Sequence, residues 1–151
     1  MRYCSIFLLL LFVSCASHVF DPTSQTNQPP VSAVESFETV ATTKINKTIE
    51  EAVVRGELWP FSPALIAFKI LGGDRETRTY AFTQEADRAE NPDTVVSVLI
   101  RDGFLDDSVR GDWHELTLST EPDNSWRISK LHKAFRCWRQ DADFFHSGPC
   151  P

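Results

Sequence analysis

Three of the four tryptophans, and both cysteines outside the N-terminal apolar stretch, fall between Trp113 and the end of the chain. Cys137 and Cys150 are the constraint from which the rest follows. If they bond, their Cα atoms must come within about 7 Å of one another, so the C-terminal tail folds back onto the segment carrying Cys137. A loop of that size stabilises the folded chain by on the order of 3 kcal/mol. Zinc ligation by His132, Cys137, His146 and Cys150 is the sharper alternative, but their H-x4-C-x8-H-x3-C spacing fits no zinc-finger pattern. No metal and no cofactor is expected.

Upstream of that pair the pattern is that of a sheet. Thr94 to Arg101 alternates, with Val96, Val98 and Ile100 on one side and Val95, Ser97 and Leu99 on the other. Val109 to Thr120 is a second strand, and Glu121-Pro122-Asp123-Asn124-Ser125 is a turn. Trp126 to Trp138 is ambiguous. Ile128, Leu131, Ala134, Phe135 and Trp138 also fit one face of a basic amphipathic helix, which could lie on anionic lipid. Position after a tight turn favours a strand, with a bulge near Ser129-Lys130 absorbing the change of phase.

The first half reads differently. Ser32 and Glu35 have capping-box spacing, and Val34, Phe37, Ala41, Ile45, Ile49, Ala52 and Val53 form an apolar stripe that ends before Gly56. This predicts one long helix, or two broken near Thr42-Thr43. Trp59-Pro60-Phe61-Ser62-Pro63 is a rigid connector. The apolar run Ala64 to Leu71 predicts a buried strand, paired as a hairpin with Thr77 to Thr83, and Gln84 to Asp93 a loop. The expected fold class is therefore α+β, with one long N-terminal helix packed on a curved antiparallel sheet of about five strands.

Residues 1–14 have one basic residue, Arg2, and an apolar core too short to span a bilayer, as in an export signal. Phe12-Val13-Ser14-Cys15-Ala16-Ser17 resembles a bacterial lipobox, with Phe12 where the motif favours Leu. The resemblance implies cleavage before Cys15 and acylation (palmitate among the chains) of that cysteine, which would bind the protein to a lipid bilayer. Ala16 after the cysteine implies the outer membrane in a two-membrane bacterium. Cleavage after Ala16, giving a secreted or periplasmic soluble protein, is the alternative. Residues 15–31 are polar and proline-bearing, a lipidated tether, and residues 32–151 form a single domain. Loss of Arg2 with the leader leaves 14 basic against 21 acidic residues. That balance excludes nucleic acid as an expected partner.

No run of residues reaches the specificity of a catalytic motif. Trp59, Trp113, His114 and Asp107 are the candidate ligand pocket, because tryptophans can line one and an imidazole beside a carboxylate can share acid and base roles. Tryptophans more often fill cores, and the Arg101–Gly111 segment, with Asp102, Asp106 and Asp107, reads more simply as a solvated turn with local hydrogen bonds and ion pairs. Asn46-Lys47-Thr48 is a formal glycosylation sequon, discounted because it falls within a helix.

Asp106-Asp107-Ser108-Val109-Arg110-Gly111, Trp126-x-Ile128, Phe135-Arg136-Cys137-Trp138 and Cys150-Pro151 resemble the closing third of a group of small, uncharacterised exported bacterial proteins. That resemblance implies a disulfide and no known activity. More remotely, a first helix followed by a sheet ending in Trp-x-Ile is similar to the NTF2-like or cystatin-like architecture, which implies a pocket between helix and sheet. The resulting expectation is a cell-envelope lipoprotein that binds an unknown protein or a small apolar ligand without catalysis. The alternative is a small hydrolase or isomerase using His114 and a nearby aspartate.

Overall fold

The computed structural model describes residues 34–72, 76–140 and 143–151. Its elements are β1 (Glu38–Thr39), α1 (Thr43–Val54), a single 3₁₀ turn at Trp59–Phe61, α2 (Pro63–Leu71), β2 (Thr79–Ala86), β3 (Thr94–Asp102), β4 (Val109–Thr120) and β5 (Trp126–Cys137). The five strands make one antiparallel sheet in the order β1-β5-β4-β3-β2.

The alternating segments become strands as expected. β3 buries Val95, Ser97, Leu99 and Arg101 and leaves the intervening residues partly exposed. β5 is a strand over its whole length, which removes the membrane-lying helix. The change of phase is a bulge, because Thr117 pairs with Lys130 and Leu118 with Ile128, leaving Ser129 unpaired. The Ser129 hydroxyl donates to the Thr117 carbonyl at 3.0 Å.

Three expectations are corrected. The long N-terminal helix does not form: α1 begins only at Thr43, and the fold is mostly sheet with two short helices. Ser32 lies outside the described residues, and the Glu35 amide, which the capping box would have used, donates to the Phe145 carbonyl at 2.9 Å. Val34 bridges Phe145, Glu38 and Thr39 pair with Lys133 and His132, and the Val40 amide reaches the Leu131 carbonyl at 2.8 Å. The physical reason is non-local. An uncovered β5 edge presents orphan donors and acceptors, and an extended 34–40 segment satisfies them, whereas the β-branched run Thr39-Val40 and Thr42-Thr43 weakens any competing helix.

The second correction is Ala64 to Leu71, which is helix and not the first strand of a hairpin. Ser62 is its N-cap, accepting from the Leu65 amide at 3.4 Å, and Pro63 occupies the first turn. A proline whose fixed φ suits that position, followed by Ala, Leu, Phe and Lys, starts a helix more readily than a strand. Third, β2 runs on through Ala86 where a loop was expected. The true turn begins at Asp87, whose Oδ1 accepts from the Asp93 and Thr94 amides at 3.1 and 3.3 Å.

Both faces of the sheet are used. On one, Ile49 of α1 and Ile66 and Ala67 of α2 cover Val95, Leu116, Leu118, Trp126, Ile128 and Leu131. On the other, Phe145 of the tail packs with Trp113 and Ala134, joined by Val34, Val98 and Ile100. Neighbours on a strand point to opposite faces, so Trp113 belongs to the tail side and His114 to the helix side.

Candidate functional site

The four residues proposed for a ligand pocket do not gather on one surface. Trp59 is half-buried against the helix-side cluster, and its indole N–H donates to Glu57 Oε2 at 2.5 Å. Together with the Arg55 guanidinium, the larger influence, this bond holds the exposed Glu57 carboxyl below the usual range. Trp113 is buried on the opposite face, beneath Phe145. Asp107 stands exposed in the β3–β4 loop. His114 is nearly buried, and the carboxylate beside it is Asp112, with Nδ1 3.7 Å from Oδ1.

Asp112 is committed elsewhere. Arg101 Nε donates to Oδ1 at 2.8 Å and Nη2 to Oδ2 at 2.5 Å, a two-pronged bond with both side chains about nineteen-twentieths buried. The remaining donor, Nη1, reaches the Leu71 and Gly72 carbonyls at 2.6 and 3.1 Å, closing the C-terminus of α2. Asp112 raises the Arg101 pKa, against burial, which lowers it. This is a tie between sheet and helix, and it engages both oxygens of the carboxylate beside His114 with Arg101.

The β3–β4 segment is the locally bonded turn its composition suggests. Asp106 Oδ1 accepts from the Ser108 and Val109 amides, both at 2.8 Å. Asp102 pairs with Arg110 at 3.2 Å and with the buried Arg136 at 2.8 Å. Gly103 adopts φ +76, a conformation few side chains tolerate.

Cys137 and Cys150 are bonded, with Cα atoms 5.4 Å apart. Of the four residues weighed as zinc ligands, His132 stands apart from the other three. His132 stacks on Phe37 at 4.2 Å and faces Glu115 Oε1 at 3.3 Å, so only His146 stands near the two sulfurs. Cys15 lies outside the described residues. Asn46 of the sequon is 3% exposed and its amide is hydrogen bonded, so it is closed to a glycan.

A concave surface lies between α1 and the β4–β5 turn, a cleft of about 340 Å³. Ile49, Val53, Pro122 and Trp126 give it apolar walls, and Glu50, Glu121, Asp123 and Arg127 stand around it. Arg127 donates to Glu50 at 2.9 Å, so those two charges balance. Among the described residues no salt bridge balances Glu121 or Asp123. The Ser125 hydroxyl donates to Asp123 Oδ1 at 2.6 Å and its amide does so at 3.0 Å. These bonds, the hydroxyl's first, hold the exposed Asp123 carboxyl below its ordinary range. Sequence reasoning saw these residues only as a turn and a helix face; the signal present was the apolar Ile49/Val53 pair at i, i+4 opposite an acidic turn.

The chain matches no family model, no curated protein and no solved structure.

Proposed function

We propose that the chain is a non-enzymatic binding module of the cell envelope, exported and held to a lipid bilayer through acylated Cys15, which receives a partner in the cleft between α1 and the β4–β5 turn. The observation that carries the binding site is the pairing of apolar walls with the two unbalanced carboxylates of Glu121 and Asp123. That combination suits a basic side chain whose methylene stem lies on Trp126 and Val53 while its charged end meets the acids. The volume accommodates one or two side chains, so the occupant is a lysine- or arginine-bearing segment of a protein. The leader, the lipobox and the tether support the envelope location. A pocket enzyme using His114 is the weaker reading, because Arg101 occupies Asp112 and Asp107 faces solvent.

Calorimetric titration with a short alternating Leu/Lys peptide is expected to saturate, and the Leu/Glu counterpart is expected not to bind. Glu121→Gln with Asp123→Asn should weaken binding about tenfold, a modest loss because exposed charge pairs are screened by solvent. Equal binding of both peptides would sink this cleft as the site. The pH sign is fixed by Asp123. Its lowered pKa keeps it charged as acidity rises past the point where an ordinary aspartate protonates, so the attraction from Asp123 persists through that range and is lost as pH falls further. Intact-mass measurement of membrane-extracted protein tests the anchor separately: a lipid-modified N-terminal Cys15 is expected, and an unmodified start at Ser17 would remove it.

A further inference from the structure

The tail after β5 sets an imidazole against the disulfide. His146 is placed by its main chain, whose N–H donates to the Phe135 carbonyl at 2.9 Å and whose carbonyl accepts from the Phe135 amide at 2.8 Å. The neighbouring Phe145 is fully buried, and the Ser147 amide donates to Ser36 Oγ at 3.0 Å. The imidazole itself has one partner on each nitrogen. Nδ1 accepts from the Gly148 amide at 3.2 Å, and Nε2 lies 3.2 Å from Cys137 Sγ. In a neutral imidazole the accepting nitrogen is the bare one, so Nδ1 has no proton and Nε2–H points at the sulfur. A metal would need Nε2 bare, so this tautomer opposes ligation by Cys137, His146 and Cys150. It suits a developing thiolate instead. The two cysteines also differ in exposure, Cys137 being 3% exposed and Cys150 only partly buried.

We propose that the Cys137–Cys150 disulfide is a thiol–disulfide exchange centre, in which Cys150 is the sulfur attacked, Cys137 the leaving sulfur and His146 the donor that stabilises the leaving thiolate. The substrate class is a dithiol. One of its thiolates attacks Cys150 Sγ, a bond forms between the two sulfurs, the Cys137–Cys150 bond breaks, and its electron pair stays on Cys137 Sγ as a thiolate bonded to His146 Nε2–H. The second thiol of the substrate, deprotonated by solvent, attacks its own partner sulfur in the mixed disulfide and releases the Cys150 thiolate, which takes a proton from water. The substrate is oxidised to a disulfide and the protein gains two electrons. Lower thiol pKa makes a better leaving group, and an N–H donor beside the sulfur lowers it. This centre is independent of what the cleft binds.

Two measurements on the full chain test it. Brief reaction with glutathione, acid quenching and peptide mapping are expected to locate the mixed disulfide on Cys150. With dithiothreitol in excess, His146→Ala is expected to slow the bimolecular reduction about tenfold, the effect of removing one hydrogen bond to a charged group. The direction separates this role from a structural one, since loosening the tail would expose the disulfide and speed its reduction. An adduct on Cys137, or a His146→Ala rate equal to or above that of the wild type, overturns the assignment.

Discussion

Asp112→Ala is expected to lower the unfolding free energy by about 3–5 kcal/mol, as removal of one partner from a buried ion pair does. The mutation takes away both acceptors of the Arg101 fork and leaves a guanidinium that is 5% exposed with, among the described residues, the Leu71 and Gly72 carbonyls to bond. Arg101→Met should be costly for a different reason, because it strips those carbonyls of their donor at the end of α2 as well as abandoning Asp112. The double variant Arg101→Met/Asp112→Ala should lose clearly less than the sum of the two singles, since removing the whole buried pair leaves no uncompensated charge. Urea unfolding of the four proteins measures this cycle. A loss below about 1 kcal/mol for Asp112→Ala would mean that water reaches Arg101 and that the pair is no internal tie.

That pair also shows where a sequence stops being readable. Arg101 and Asp112 sit on β3 and β4 at directly paired positions, and their facing side chains follow from the register alone. The strands themselves were legible because burial on one face writes itself as alternation, and the turn at Glu121–Ser125 together with the bulge at Ser129 set how β4 meets β5. Nothing in the sequence, however, announces that a charged residue on an alternating strand faces inward. Arg101 occupies the place in the pattern where Val95, Ser97 and Leu99 lead one to expect burial, and that continuity was the available signal.

Two of the misread segments failed for opposite reasons. Ala64 to Leu71 was decided locally, by Ser62 and Pro63, and an apolar run of eight fits a buried strand or a buried helix equally well by period. The 34–40 stretch was decided at a distance, by the exposed edge of β5, and its helical stripe was real but short. Val34 and Phe37 found apolar partners as an extended chain instead: Val34 packs with the Trp113–Phe145 cluster, and the Phe37 ring lies 6.3 Å from that of Trp113. The cleft was illegible for a related reason. Its two walls come from α1 and from the β4–β5 turn, and a pocket assembled from such distant segments leaves no spacing for a motif to occupy.

Asn46→Ala is expected to cost about 2–5 kcal/mol, more than the loss of an ordinary helix residue, because it orphans two buried backbone groups at once. Asn46 Nδ2 donates to the Ile128 carbonyl at 2.9 Å, and the Ile128 amide donates to Asn46 Oδ1 at 3.0 Å. The two residues are 82 positions apart. Their geometry continues what β1 begins: the 34–40 segment closes the outer edge of β5 at Leu131 to Lys133, and beyond the bulge at Ser129 the Asn46 amide closes it at Ile128. One side chain thus does the work of a strand where α1 has replaced the chain that would have supplied one. Asn46→Asp should be at least as damaging, since it keeps the acceptor, loses the donor and buries a charge. Asn46 also lines the cleft, so the variant that separates binding from stability is the charge-neutralising pair Glu121→Gln with Asp123→Asn, which should leave stability nearly unchanged. Hydrogen exchange gives the discriminating readout. The Ile128 amide should lose protection selectively in Asn46→Ala, ahead of the paired amides of β3, and unchanged protection there would show that β4 and not α1 holds this end of β5.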